Sequence, residues 1–292
     1  MKKCSLCKNT QLRIISKKVR DSKKHKIIEC IKCGLIQLNP LPNHTELSEF
    51  YDKDRQAKNA GINFNIATME KKAYEDTKRR VKLVQNIAKR RDKILEIGSG
   101  HGFFLKGMLN LGFNVTGIEI SKPRREITKK ILGINVLDVN LNENKEILGK
   151  FDIILLFHVL EHVAEPIKFL KNIKTMLTKN GKIIIEVPNV EDHQVFLNEA
   201  YNAWYWQKAH LSYFSPDTLR LVLQKAKFKN ISIKGIQRYS IENFFYWIDN
   251  KQPQLLNPTM NLSMEFEWIE KYYKKHLEKN LTCDTILCMA QR

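Results

Sequence analysis

The chain has 292 residues, 43% hydrophobic and 28% charged, with 50 Lys+Arg against 31 Asp+Glu and a formal net charge of +19. That is ordinary globular material for about two domains of roughly 150 residues each, with enough apolar content for a sizeable core. No apolar run approaches the roughly 20 residues that span a bilayer, and the start MKKCSLCKNT lacks the apolar stretch of a secretory signal, so a cytoplasmic protein is expected. The excess of lysine fits a solvated surface as well as an anionic partner and decides nothing alone.

The first expected element is a metal ribbon. CSLC and CIKC place Cys4, Cys7, Cys30 and Cys33 in two C-x-x-C pairs, which in a reducing compartment predict a tetrahedral zinc site and not disulfides. All four positions are cysteine, so the zinc is expected to be structural. Gly34 suits a knuckle that needs positive φ. Short strands are expected over 10–19 and 25–29 of a ribbon spanning 1–45, with Cys283 and Cys288 as strand residues at the far end. Lysines and arginines crowd residues 1–33, but that stretch contains no Phe, Tyr or Trp on which a base could stack.

A linker and lead-in helix are expected over 46–92, the helix itself over about 70–90. Apolar strands then alternate with helices: KILEIG, NVTGIEIS, INVLDVN, FDIILLF and KIIIEVPN are the strands, and such alternation predicts a parallel sheet covered on both faces. Ligands bind at the carboxyl ends of strands in such sheets. At one of those ends stands Glu96-Ile97-Gly98-Ser99-Gly100-His101-Gly102, an acid followed by a glycine turn that opens a helix. A second acid, Glu119, closes the next strand, followed by Ile120, and a third, Asp138, with Val139, follows the strand after that.

These residues, over about 90–190, resemble the S-adenosylmethionine (SAM) site of class I methyltransferases. The resemblance implies a Rossmann-like α/β fold with a seven-stranded sheet and helices on both faces. It implies that Glu96, Gly98, Ser99, Gly100 and Gly102 line the methionine part, Glu119 the ribose, and Ile120, Asp138, Val139 and Phe157 the remaining cofactor contacts. IIECIKCGLIQLNPLPNHTELSEFYDKD and HLSYFSPDTLRLVLQKAKF are similar to zinc-ribbon methyltransferases associated with bacterial surface-polysaccharide and small-molecule modification. In those, a Pro-rich turn and a helix ending at tyrosine follow the second knuckle.

The protein's chemical task in methyl transfer is to align the acceptor and, for a hydroxyl, to remove its proton. His158, Glu161 and His162, spaced i, i+3, i+4, share a face if helical. The segment L-E-H-V is similar to ubiquinone-type O-methyltransferases, some of which hold a metal with Glu-x-x-Glu-His; here His158 takes the first position, and that group is not reproduced. His210, in an aromatic lid over about 190–214, is the preferred base, ahead of His162. Asn189, Trp204, Tyr205, Tyr213, Arg238 and Asn243 are the expected acceptor contacts, with Arg238 a candidate to hold a phosphate or carboxylate. A domain over 93–292 is expected to end in two antiparallel strands flanking a helical insertion at about 240–280.

The reading is a SAM-dependent methyltransferase with structural Zn2+ that acts on a small polar acceptor, most plausibly a sugar nucleotide or surface-glycan precursor. An rRNA or tRNA methyltransferase docking RNA through the ribbon is one alternative, and a SAM-binding module without turnover another.

Overall fold

The computed structural model describes residues 3–42, 46, 66–139, 141, 149–253 and 266–292. The segment after the ribbon, with the helix expected to end at tyrosine, and the middle of the insertion lie outside these residues.

Two sheets organise the chain. The larger contains β4 (Lys93–Ile97), β5 (Asn114–Ile118), β6 (Phe151–Phe157), β7 (Leu177–Pro188), β9 (Lys229–Ile236) and β10 (Thr285–Gln291) in the order β5-β4-β6-β7-β10-β9. Strands β4 to β7 are parallel, and β10 runs antiparallel to both β7 and β9. The runs KILEI and FDIILLF are apolar almost throughout because helices cover both faces of the sheet. Leu95, Ile154, Leu156, Ile183 and Ile185 pack with α4 (Pro166–Met176) and α7 (Pro216–Lys225) on one side. Their alternates Ile94, Ile153, Leu155 and Ile184 pack with α1 (Ile66–Ile87) and α2 (Phe103–Asn110) on the other.

The strand expected over INVLDVN is reduced to one bridge, Leu137 to Ile118. Six strands, not seven, are thus formed among the described residues. The chain order reverses at β4, which leaves a crevice between the carboxyl ends of β4 and β6.

The smaller sheet joins β1 (Leu12–Ser16), β2 (Lys26–Cys30) and β3 (Ile36–Asn39) to β8 (Ser212–Tyr213). Its fourth strand therefore comes from the far half of the chain: Ile36 faces Tyr213, Gln37 faces Ser212, and Leu38 N–H donates to Leu211 O at 3.1 Å. Cys4, Leu6, Cys30 and Leu35 share one core with Leu219, Val222 and Leu223 of α7. Complete burial of Leu35 contributes about 1.5–3 kcal/mol to that seam. Ser215 caps α7 by accepting from Thr218 N–H, with Pro216 in its first turn, as the S-P-D-T order predicts.

Candidate active site

The cofactor side grows from a few consecutive residues. Strand β4 ends at Ile97, and Gly98, Gly100 and Gly102 all adopt positive φ (73°, 55° and 74°) before α2 begins. A Cβ on Gly98 would stand 2.6 Å from Val159 Cγ2, whereas one on Gly100 would meet nothing within 4 Å, the open side on which a ligand can approach the backbone. Gly98 and Ser99 N–H donate to Ile118 O at 2.7 and 3.0 Å, fastening the turn to the end of β5.

Buried Glu119 accepts from Gly100 N–H at 2.9 Å and from Ser121 N–H at 2.8 Å, so its carboxylate is aimed into the turn. Glu96 Oε2, Ser99 Oγ and Ser121 Oγ are buried without a hydrogen-bond partner. Burial raises the Glu96 carboxyl to about 8, with Glu119 adding to the rise and Arg80 opposing it. Unfilled donors and acceptors beside an acid and a glycine turn fit the methionine and ribose of SAM. Ile120 is exposed just past β5, Val139 packs on the core, and Phe157 is buried edge-on to Phe104. Asp138 is held outside the turn by Arg125, which donates to it at 2.5 Å and to Glu119 O at 2.7 Å.

The acceptor side is assembled from distant segments. After β6 no α-helix follows: His158 takes φ 56° and only a single 3-10 turn, Leu160–His162, forms. The helical face expected for His158, Glu161 and His162 is thus replaced by a left-handed step, although His158 Nδ1 still lies 3.3 Å from Glu161 Oε1. That contact is not a hydrogen bond, so both oxygens of buried Glu161 keep an unfilled valence. Burial alone would raise this carboxyl; its contacts with His158, and the charges of His162 and His158, hold it at about 2.

His162 donates from Nδ1 to Ala209 O at 2.7 Å, the only sense that a carbonyl allows, and its Nε2 lies 3.9 Å from Glu161 Oε1. The ring of His210 stands edge-on to His162 with centroids 5.1 Å apart. Ligand atoms of Glu161, His162 and His210 lie within 4.8 Å of one another. Burial, then His162, lowers His210 to about 3, with Glu161 offsetting only part.

Several charged groups here escape a reading by motif. Helix α1 lays Arg79 and Arg80 on fully buried Glu186: Arg79 donates to both oxygens at 3.0 and 2.9 Å, and Arg80 reaches Oε1 at 2.5 Å. Arg80 also stacks 4.7 Å from the Phe157 ring. The only sequence signal was the paired arginine three and four residues after Asp76, which an amphipathic helix also produces.

Arg238, expected to be available to an anion, is spent. It donates to Asp76 Oδ2 from Nε and Nη2 (2.8 and 2.6 Å), and its Nη1 lies 3.2 Å from His158 Nε2. Asp284 accepts the backbone N–H groups of Arg238 and Tyr239 on one oxygen, while its other is buried and unfilled. Burial raises this carboxyl to about 6 against the pull of Arg238.

The expected acceptor contacts divide. Asn189 is structural, donating to Leu281 O and Cys283 O and accepting from Glu191 N–H. Tyr213 is structural too: its hydroxyl donates to Gln207 O at 2.9 Å and accepts from Gln207 N–H at 2.8 Å. Trp204 packs against Trp247 and under Arg20. Asn243 is buried in the first turn of α8 (Ile241–Asn250), its N–H donating to Ser240 Oγ. Tyr205, at the end of α6 (Glu199–Tyr205), keeps an unfilled buried hydroxyl.

In the ribbon, Cys4 and Cys33 Sγ stand 3.6 Å apart and Cys7 and Cys30 Sγ 3.4 Å, with all four within 4.8 Å. Tetrahedral zinc with bonds of about 2.3 Å sets sulfurs about 3.8 Å apart, so the donor set fits. Gly34 (φ 72°) donates to Cys30 O at 2.8 Å, forming the second knuckle. Within this cluster burial raises the Cys4 and Cys33 thiols, while N–H groups of the knuckle and the Cys7 thiol bring Cys30 down to about 7.

Residues 69–233 match the family model described as a methyltransferase domain. A mitochondrial ubiquinone biosynthesis O-methyltransferase from Schizosaccharomyces pombe is 32% identical over 100 residues, 32% of this chain and 36% of that protein. The Coxiella burnetii ubiquinone biosynthesis O-methyltransferase is 24% identical over 173 residues, 55% of this chain and 74% of its own length. The chain thus spans about a third of the first relative and three quarters of the second. A SAM-dependent methyltransferase structure from Archaeoglobus fulgidus superposes with a TM-score of 0.53 at 20% identity, covering 77% of this chain and 98% of that one, a likeness of fold. No helix among the described residues is long and apolar enough to cross a membrane.

Proposed function

The chain belongs to the SAM-dependent methyltransferase-domain family, and from that premise we propose that it methylates a hydroxyl of a small, hydroxyl-rich acceptor, a sugar or sugar-bearing precursor of a surface glycan. The supporting observation is the charge balance on the acceptor side. Arg79 and Arg80 are spent on Glu186 and Arg238 on Asp76, while Glu161, Asp284 and Tyr205 keep unfilled, buried oxygens. Oxygens that accept hydrogen bonds, beside arginines that among the described residues are already paired, suit an uncharged hydroxyl donor such as a polyol better than a phosphate. Transfer to oxygen is what the names of the curated relatives describe for those proteins.

When bound, SAM supplies an electrophilic methyl on a sulfonium sulfur. Glu96, Ser99 and the glycine turn would hold its methionine part, and Glu119 its ribose. His162 is the better placed base: its Nδ1 is anchored on Ala209 O, so in the neutral ring Nε2 is the nitrogen that would take the acceptor's proton. His210, expected to fill that role, is held too far from charging at neutral pH. The zinc of the ribbon would be held by Cys4, Cys7, Cys30 and Cys33 with no position open to substrate, a structural role.

The test is methyl transfer from labelled SAM into a cell extract separated into metabolite and RNA fractions. Label in acid-soluble, ribonuclease-resistant glycosides supports the sugar reading. Label in RNA overturns it in favour of docking through the basic ribbon, and label in the lipid-soluble fraction overturns it in favour of an acceptor from ubiquinone biosynthesis, the process for which the relatives are named.

A further inference from the structure

The two edges of the small sheet differ. In the order β1-β2-β3-β8, β3 is closed by β8, while the outer side of β1 pairs with no strand among the described residues. Ile14 faces Ile28 and Ser16 faces Ile27, so Ile15 sits in a bulge with no residue opposite. Ile14 is 51% exposed and Ile15 38%. Ile31, whose N–H donates to Gln11 O at 3.1 Å beside the start of β1, is 62% exposed.

Around these isoleucines the charge is of one sign. Residues 3–42 hold ten Lys+Arg against Asp21 and Glu29 alone, and those two acids already lie against Arg20 and Arg13. Lys17 and Lys18 follow Ile15, Lys32 follows Ile31, and all three are exposed. Four thiolates on one Zn2+ take back two charges and leave the surplus strongly positive.

We propose that the β1 edge of the ribbon docks on an anionic lipid bilayer, with Ile14, Ile15 and Ile31 entering the headgroup layer and the flanking lysines holding lipid phosphates. The boundary between headgroups and acyl chains takes aliphatic side chains, and each lysine near an anionic leaflet strengthens binding roughly fivefold. RNA fits less well: residues 1–42 contain no Phe, Tyr or Trp on which a base could stack, and isoleucines offer a phosphate chain nothing. A second copy fits less well too, because two such edges would bring the same positive surplus together. The unpaired backbone groups of β1 limit the depth to the headgroups, where hydrogen-bonding partners remain.

The edge is rigidly tied to the acceptor side. After β1, the backbone N–H of Arg20 donates to Trp206 O at 2.7 Å, and its guanidinium lies 4.3 Å from the Trp204 ring centroid. Its Nη2 donates to Gln207 Oε1 at 2.9 Å. Docking the ribbon therefore fixes how the acceptor side is turned towards the bilayer.

The experiment is co-sedimentation of the full-length, zinc-loaded chain with vesicles of phosphatidylcholine alone or of phosphatidylcholine and phosphatidylglycerol in equal parts. The chain should bind the second and not the first, and binding should weaken steeply in about 1 M salt. Lys17→Gln with Lys18→Gln should weaken binding roughly 30-fold, and Ile14→Ser with Ile15→Ser roughly tenfold. Lys168→Gln, an exposed lysine on α4, should change it less than about twofold. Zinc content and S-adenosylhomocysteine binding report an intact fold for each variant. Absence of binding to the anionic vesicles overturns the proposal. So does binding that survives loss of both isoleucines, which would reduce the surface to unspecific charge. Tighter binding to polyuridylic acid than to vesicles overturns it in favour of RNA, and a dimer that Ile14→Ser with Ile15→Ser dissolves overturns it in favour of a second copy. No acceptor is needed for any of these measurements, so they stand whatever the chain methylates.

Discussion

The two halves of the crevice are built in opposite ways. The cofactor half uses Glu96, the turn 98–102 and Glu119, all within two consecutive strands, and its key contacts are backbone N–H groups on one carboxylate. The acceptor half draws Arg20, Arg79, Glu161, Glu186, Gln207, Arg238 and Asp284 from across the chain, and its contacts run from side chain to side chain. A ligand common to a whole family can be held by a local turn. An acceptor particular to one enzyme needs a surface that distant elements can vary independently.

The sharpest separation of the halves should come from the metal. Structural zinc contributes on the order of 10 kcal/mol in small ribbons. Chelation or Cys30→Ser should therefore release β3 from β8, lower the melting temperature and abolish methyl transfer. S-adenosylhomocysteine affinity, measured by calorimetry, should change by less than about threefold, since distant sites add independently. Equal loss of both functions would merge the two halves into one unit.

Glu186→Gln comes next. It leaves Arg79 and Arg80 facing a neutral amide in a buried place, which should cost about 3–5 kcal/mol in urea unfolding. On the cofactor side, Glu119→Gln exchanges a charged acceptor of two N–H groups for a neutral one. Weakening these charge-assisted bonds should cost about 1.5–3 kcal/mol in urea unfolding, and SAM should bind more weakly to the loosened turn by calorimetry.

The most gradual effect is a slope. Glu96 titrates at about 8 in the folded chain against an ordinary value of 4.5, so between these the folded state holds the extra proton. Stability that is fully present below about 4.5 must then decline as pH rises towards 8, by at most about 1.4 kcal/mol per unit. Glu96→Gln should flatten that decline in thermal melts from pH 5 to 8.5.

The same contrast explains what could be read from the residues alone. The C-x-x-C pairs, E-x-G-x-G-x-G and the acid closing β5 are short-range patterns, and each sits where its spacing implied. The helical face of His158, Glu161 and His162 was misjudged because His158 takes φ 56°, a choice set by what surrounds it. Arg238 looked available because its partner, Asp76, lies in α1, 162 residues away. The pairing of Gln37 with Ser212 was invisible, since two residues of strand carry no periodic signal.

That pairing also has a meaning during synthesis. Ser212 is made 175 positions after Gln37, so at 5–20 residues per second the ribbon waits roughly 9 to 35 s with the open side of β3 unpaired. An unpaired strand edge is a template for wrong partners, including the ribbon of a neighbouring nascent chain. The lysines that crowd the ribbon would then keep such neighbours apart on a polysome until the native partner strand arrives.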